Sequence, residues 1–259
     1  MTLRGVIFDL GGTLMNFHPP GGGWREMEAR GAAGWYAYLA ARGYALPDEA
    51  AVIEAIWRQV SSAWRDLGEG RLVDVAEMAL VRQLAKAAAA LGIALTPEDA
   101  LEAERAYVAR IQEVVQPIPG GRETLRALQQ RGLRLALISN TMWPGEFHRA
   151  DLARFDLLAP FEALFFSADE NAWKPAPEIF QRAVRALDVA PEEAVYIGDS
   201  RMLDVWGAQQ AGLRGVWVEN DDPYLPQGMD IIPDATIRRL TDLLPVVDAW
   251  RNHLEQVQK

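Results

Sequence analysis

The sequence predicts an α/β fold: a doubly wound parallel sheet with a helical bundle inserted after its first strand. Three observations carry this. Short apolar runs alternate with helical patterns, as in chains of β–α units. Roughly a hundred residues separate the first two strand runs, far more than a crossover needs. The strand runs end on polar residues, which an open parallel sheet gathers on one rim.

Five strand runs stand out: Gly5–Leu10, Leu133–Asn140, Ala163–Ala168, Ala194–Asp199 and Gly215–Val218. They are apolar and partly β-branched rather than alternating, as expected of strands buried on both faces. Helical patterns lie between them at Gly121–Arg131, Glu178–Leu187 and Met202–Ala211. The polar strand ends are Asp9, Ser139-Asn140, Asp169 and Asp199. A lone buried carboxylate is costly, so Asp9 belongs at the exposed end of its strand. There it either faces a ligand or caps the glycine turn that follows.

The insertion reads as a bundle of about four helices. Apolar residues recur at helical spacing in Trp35–Leu39, Val52–Val60 and Met78–Leu91, with breakers at Gly43, Leu46-Pro47, Gly68–Gly70 and Gly92. Thr96 as N-cap and Pro97 at the first helical position open another helix. Trp57 and Trp64 share one helix face and read as bundle core. Pro19–Gly23 and Pro117–Gly120 serve as linkers, which places the sheet domain at residues 1–16 and 117–259 and the bundle at 17–116.

Composition limits the function. The 259 residues are 50% hydrophobic and 24% charged, with ample chain for a full core. A net charge of −10 argues against a nucleic-acid surface, which needs clustered Lys and Arg. The absence of cysteine removes thiol catalysis, disulfides and cysteine-ligated zinc. No apolar run is long enough to span a membrane, and the N-terminus runs straight into a strand without a signal-peptide pattern. A cytoplasmic location is therefore expected. His18, His148 and His253 are scattered without metal-ligand spacing. Gly21-Gly22-Gly23 lacks the Lys-Ser/Thr of a P-loop and reads as a hinge.

Asp9-Leu10-Gly11-Gly12-Thr13, Ser139-Asn140, Lys174-Pro175 and Gly198-Asp199-Ser200 followed by Asp204 resemble, in order and at strand ends, the four motifs of the haloacid dehalogenase superfamily. The helical insertion resembles that superfamily's C1 cap, and the likeness covers essentially the whole chain. It implies a Rossmann-like core and a hydrolase. Asp9 would be the nucleophile, taking the phosphoryl group as an aspartyl-phosphate. Mg²⁺ would offset the charge of the two approaching anions, held by Asp9, Asp199 and the Gly11 carbonyl. Asp204 would support the metal or orient its neighbours. Ser139 would hydrogen-bond a phosphoryl oxygen with the Asn140 backbone beside it, Lys174 would bind substrate and neutralise charge beside Asp9, and Thr13 would bond the phosphoryl group or brace the turn. A cap that closes over the site favours a small-molecule substrate, here a phosphorylated one, and the protein is expected as a monomer or homodimer.

Gly11 departs from the resemblance. Phosphatases of the superfamily usually carry there an Asp that protonates the leaving group and later activates water. Loss of a general acid/base costs on the order of 10²–10⁴-fold. One reading is a Mg²⁺-dependent phosphatase whose leaving group needs little protonation, or whose acid comes from the insertion, with His18 and Glu26 as candidates. A second is a carbon-bond hydrolase, dehalogenase-like or phosphonatase-like. The phosphonatase chemistry needs a cap lysine, and the insertion has only Lys86. A third is a low-activity protein that binds a phosphorylated ligand. Trp143 and Trp173 flank the second and third motifs as packing or substrate contacts. Arg25, Arg58, Arg65 and Arg71 read as surface arginines.

Overall fold

The structure, a computed structural model, describes residues 2–68, 71, 75–220 and 229–252. Gly70 of the predicted Gly68–Gly70 breaker and His253 lie outside the described residues. The chain divides into two compact units. One comprises Met1–Asn16, Pro117–Thr141 and His148–Lys259; the other comprises Phe17–Gln116 and Met142–Phe147.

The first unit holds β1 (Gly5–Phe8), β4 (Arg134–Ser139), β5 (Ala163–Phe166), β6 (Ala194–Gly198), β7 (Arg214–Val218) and β8 (Ala235–Ile237). The two-residue strands β2 (Met15–Asn16) and β3 (Gln116–Pro117) mark where the chain leaves and rejoins this region. The six longer strands form one parallel sheet in the order β5-β4-β1-β6-β7-β8. The chain order runs outward from β1 in both directions, so β1 is the topological switch point where an open α/β sheet binds ligands. Phe8 pairs with both Leu137 and Ile197. That register brings the ends of three strands, and the motifs that follow them, to one rim.

Every residue of β1 and β6 is buried, which explains their continuous apolar sequence. On one sheet face Ile7, Ala136 and Ile138 pack with Ile179, Phe180, Ala183 and Val184 of α8 (Pro177–Ala186). Truncating a fully buried residue such as Ile7 to Ala would cost about 2–5 kcal/mol. Sequence periodicity found five of the six strands. It missed β8, a three-residue edge strand with one buried side chain and too short to show a period. Asp169, expected at a strand end, lies in the short helix α7 (Ser167–Glu170).

The second unit contains α1 (Trp24–Ala41), α2 (Glu49–Gly68), α3 (Leu80–Ala90) and α4 (Pro97–Gln112). Helices α1 and α4 approach closely because two glycines permit it. A Cβ on Gly31 would lie 2.5 Å from the Tyr107 ring, and one on Gly34 would lie 2.4 Å from the Ala106 carbonyl. Thr96 caps α4 as its sequence predicts, accepting from the Asp99 N–H at 3.1 Å. The Asp99 carboxylate also receives Tyr38, Arg42 and Tyr44, tying the end of α1 to the start of α4. The expectation for Trp57 and Trp64 is corrected. Val52, Ile56, Val60 and Ala63 form the buried stripe of α2, and both tryptophans are half-buried. Arg25 lies over the Trp57 ring, and Trp64 meets Trp24 edge-on.

Candidate active site

The rim at the end of β1 collects the predicted residues. Asp9 follows Phe8 directly, and its N–H still bonds the Ile197 carbonyl of β6 at 2.8 Å. The carboxylate is thus fixed at the last sheet position while the chain turns away. Gly12 makes that turn with φ of 75°, the left-handed region that favours glycine. Its missing side chain also makes room: a Cβ there would lie 2.1 Å from Asp199 Oδ2. Gly198 does the same for Asp204, whose Cγ would lie 2.2 Å from an added Cβ.

Lys174 is the hub. Its Nζ donates to Asp9 Oδ1 at 2.6 Å, to Asp204 Oδ1 at 2.6 Å and to the Tyr196 hydroxyl at 2.9 Å. All four side chains are buried. Asn140 holds the lysine backbone, accepting from its N–H at 2.8 Å and donating to its carbonyl at 2.9 Å. The Asn140 side chain therefore positions Lys174. The Lys174–Pro175 peptide is cis.

Asp204 sits where the expected Met202–Ala211 helix opens with a π turn, Arg201–Trp206. The Val205 N–H reaches the Ser200 carbonyl at 3.2 Å. Ser200 caps this turn through Leu203 N–H at 3.1 Å, and its own N–H donates to Asp204 Oδ2 at 2.9 Å. Both Asp204 oxygens are engaged, one by Ser200 and one by Lys174. Asp199 is less buried. Asn220 donates to its Oδ2 at 3.2 Å, and the Trp217 indole donates to its carbonyl at 3.0 Å.

The acidic groups of the rim gather in one place. Carboxylate oxygens of Asp9, Asp199 and Asp204 lie within 4.8 Å of one another. Such a set of carboxylate oxygens offers the hard oxygen ligands that a divalent ion takes. The Asp9 carboxyl is pushed up to about 6, first by burial and then by the Asp204 charge, against the pull of Lys174. Burial works to lower the Lys174 ammonium, but Asp204 and Asp9 outweigh it and hold it above the ordinary lysine range. Burial keeps Tyr196 protonated, with the nearby Asp204 and Asp9 adding to the effect.

Thr13 and Ser139 are also buried in this unit. The Thr13 hydroxyl has no hydrogen-bond partner among the described residues, an unusual state for a fully buried donor. His148 is buried and hydrogen-bonded to the Thr141 hydroxyl at 2.7 Å, and burial lowers it to about 3, so it is a neutral packing residue. In the other unit, Glu26 accepts from the Gly23 N–H at 2.8 Å, and backbone hydrogen bonds hold it below the usual carboxylate range. Burial lowers His18. Trp143 and Trp173 are buried, and Lys86 is paired with Glu77 at 2.8 Å.

Sequence reasoning missed Tyr196, Asn220 and Trp217. Tyr196 had a signal: it carries the sole hydroxyl in the otherwise apolar run Ala194–Gly198. Asn220 and Trp217 had none, because their partner is distant in sequence.

The chain is similar to known proteins. The family described as haloacid dehalogenase-like hydrolase matches residues 3–212. A phosphoserine phosphatase of Thermus thermophilus is 29% identical over 251 residues, 92% of this chain and 96% of the relative. A glyceraldehyde 3-phosphate phosphatase of Pyrococcus furiosus is 34% identical over 100 residues, 39% of this chain and 41% of the relative. The solved structure of a 2-haloacid dehalogenase from Pseudomonas syringae pv. Tomato DC3000 superposes with a TM-score of 0.70 at 26% identity, covering 96% of this chain and 100% of that one. The chain belongs to the haloacid dehalogenase-like hydrolase family.

Proposed function

We propose that the protein is a Mg²⁺-dependent phosphatase acting on a small phosphorylated metabolite, with Asp9 as nucleophile and residues 17–116 as its cap. The observation that carries this reading is the cluster of oxygen ligands that Asp9, Asp199 and Asp204 form, with Lys174 holding Asp9 and Asp204. Direct attack by a carboxylate on carbon needs no divalent ion, so such a cluster suits phosphoryl chemistry better. The full-length likeness to a phosphoserine phosphatase supports the same class.

The geometry supports the following roles. Lys174 fixes the Asp9 carboxylate through Oδ1, which leaves Oδ2 to attack. That oxygen forms a bond to phosphorus while the bond to the leaving oxygen breaks and its electron pair departs with it. Water then displaces Asp9 from phosphorus. The partnerless Thr13 hydroxyl and the Ser139 hydroxyl would donate to phosphoryl oxygens. Asp9, Asp199 and the Gly11 carbonyl would hold the metal, with Asp204 holding Lys174. A bound Mg²⁺ supplies the positive charge that lets a phosphate anion approach Asp9. Gly11 offers no proton to the leaving group. The substrate class is therefore one whose leaving group departs as an anion, such as an acyl phosphate or a phosphoanhydride.

A carbon-bond hydrolase is the second reading, favoured by Gly11 and by the likeness to a 2-haloacid dehalogenase. A panel of phosphoesters, acyl phosphates, phosphonates and 2-haloacids, run with and without Mg²⁺ on wild type and Gly11→Asp, separates the readings. The phosphatase reading expects metal-dependent release of phosphate, with Gly11→Asp raising turnover of phosphoesters. Metal-independent halide release would replace it with the second reading. No turnover at all would leave a ligand-binding protein. Expected to act in the cytoplasm as a monomer or homodimer, the protein has no helix among its described residues long and apolar enough to cross a membrane.

A further inference from the structure

We propose that Tyr196 is a positioning residue that fixes the direction of Lys174, so that the ammonium serves Asp9 and Asp204 and holds no hydrogen-bond donor in reserve for substrate. The inference rests on the reading of Asp9 as nucleophile. An ammonium has three donors and no acceptor. All three are accounted for within the protein, by Asp9 Oδ1, Asp204 Oδ1 and the Tyr196 hydroxyl.

The tyrosine proton is committed elsewhere. Its hydroxyl donates to the Ile138 carbonyl at 3.0 Å and also lies within hydrogen-bond reach of Asp204, while an ammonium has no lone pair to accept with. The interaction therefore has one sense, with lysine donating and tyrosine accepting. Ile138 precedes Ser139 at the end of β4, and Tyr196 lies on β6, so one hydroxyl ties the strands on either side of β1 to the lysine that holds Asp9. The ring is itself held by its edge-on contact with Phe180, at 5.1 Å between centroids. Without this third acceptor, Lys174 could rotate about its stem and give up the Asp9 geometry. A misplacement of about 1 Å in such a site can cost on the order of 10²-fold in rate.

Tyr196→Phe removes the hydroxyl and keeps the ring. Two readouts test it. The first needs no turnover. The chain has three lysines, Lys86, Lys174 and Lys259, so isotope-labelled lysine observed at Nζ gives three separable signals, assigned by Lys86→Arg and Lys259→Arg. We expect the wild-type Lys174 ammonium to exchange protons slowly, and Tyr196→Phe to speed that exchange by at least about tenfold while Lys86 and Lys259 stay unchanged. The second readout is kinetic: kcat falls by roughly 10- to 100-fold with KM within about twofold of wild type. Tyr196→Leu should lose the same kcat while melting lower, since only it also loses the Phe180 contact.

An unchanged Lys174 signal in Tyr196→Phe, or a raised KM with unchanged kcat, overturns the proposal. So does a wild-type Lys174 ammonium that exchanges as fast as Lys86, which decides the matter even where Tyr196→Phe does not fold. Failure of the phosphatase reading looks different: the wild type releases no phosphate from any substrate, while the Lys174 exchange still reports on Tyr196.

Discussion

Gly12 and Asp199 occupy one space. The glycine's left-handed turn sets its missing Cβ 2.1 Å from Asp199 Oδ2, so the first motif and the fourth fit together only because one side chain is absent. Gly12→Ala therefore meets two costs, about 1–2 kcal/mol for an L-residue in the left-handed region and displacement of the carboxylate. The variant should melt several degrees lower and bind Mg²⁺ more weakly, as read by calorimetry and metal titration. An alanine variant with wild-type metal affinity would show that Asp199 is not held by this contact.

Thr13 allows a cleaner separation of roles. Its buried hydroxyl has no partner among the described residues, so Thr13→Val exchanges an unsatisfied polar atom for a methyl of similar shape. Such a change is neutral or stabilising where nothing is lost in the folded state. We expect an unchanged or raised melting temperature together with a loss of about tenfold or more in kcat/KM on the best substrate. A drop in melting temperature with full activity would make Thr13 a brace of the turn.

The helical unit carries its own pH dependence. Glu28 is buried against the Tyr107 hydroxyl, and burial pushes its carboxyl up to about 7. A raised carboxyl binds its proton more tightly in the folded state. Its stabilising contribution is full below about pH 4.5 and is lost as pH rises through about 7. The loss is on the order of 3 kcal/mol. Glu28→Gln should leave stability near pH 5 almost unchanged and raise it at pH 8, measured by thermal melts across that range. Glu104, pushed up to about 7 mainly by burial, acts in the same direction, so a smaller slope should survive in the Gln variant.

The sheet was legible because β1, β4 and β6 are buried on both faces and therefore read as unbroken apolar runs. The motif residues were legible because parallel strands put their ends on one rim, whatever their separation in sequence. The details of the site were less so. The Asn140 backbone is expected beside the phosphoryl group, but that its side chain holds the Lys174 backbone does not show in the sequence. The π turn at Arg201–Trp206 does not show in helical periodicity, although it places Asp204 under Lys174. Trp57 and Trp64 misled because an apolar heptad pair fits a half-exposed aromatic face as well as a core. Tyr196 passed for core because its strand and its ring are buried; only the hydroxyl is functional in this account.

The most direct measurement is a search for the phosphoryl group on Asp9. Acetyl phosphate carries a leaving group that needs no proton, so it bypasses the first defect at Gly11, while the second, weak activation of water, slows discharge. Wild-type protein mixed with acetyl phosphate and Mg²⁺, acid-quenched and analysed by mass spectrometry, should carry one phosphoryl group mapped to Asp9. The adduct should be absent in Asp9→Asn and short-lived in Gly11→Asp. A wild-type protein that releases phosphate with no adduct at Asp9, or an adduct that survives in Asp9→Asn, would contradict the account.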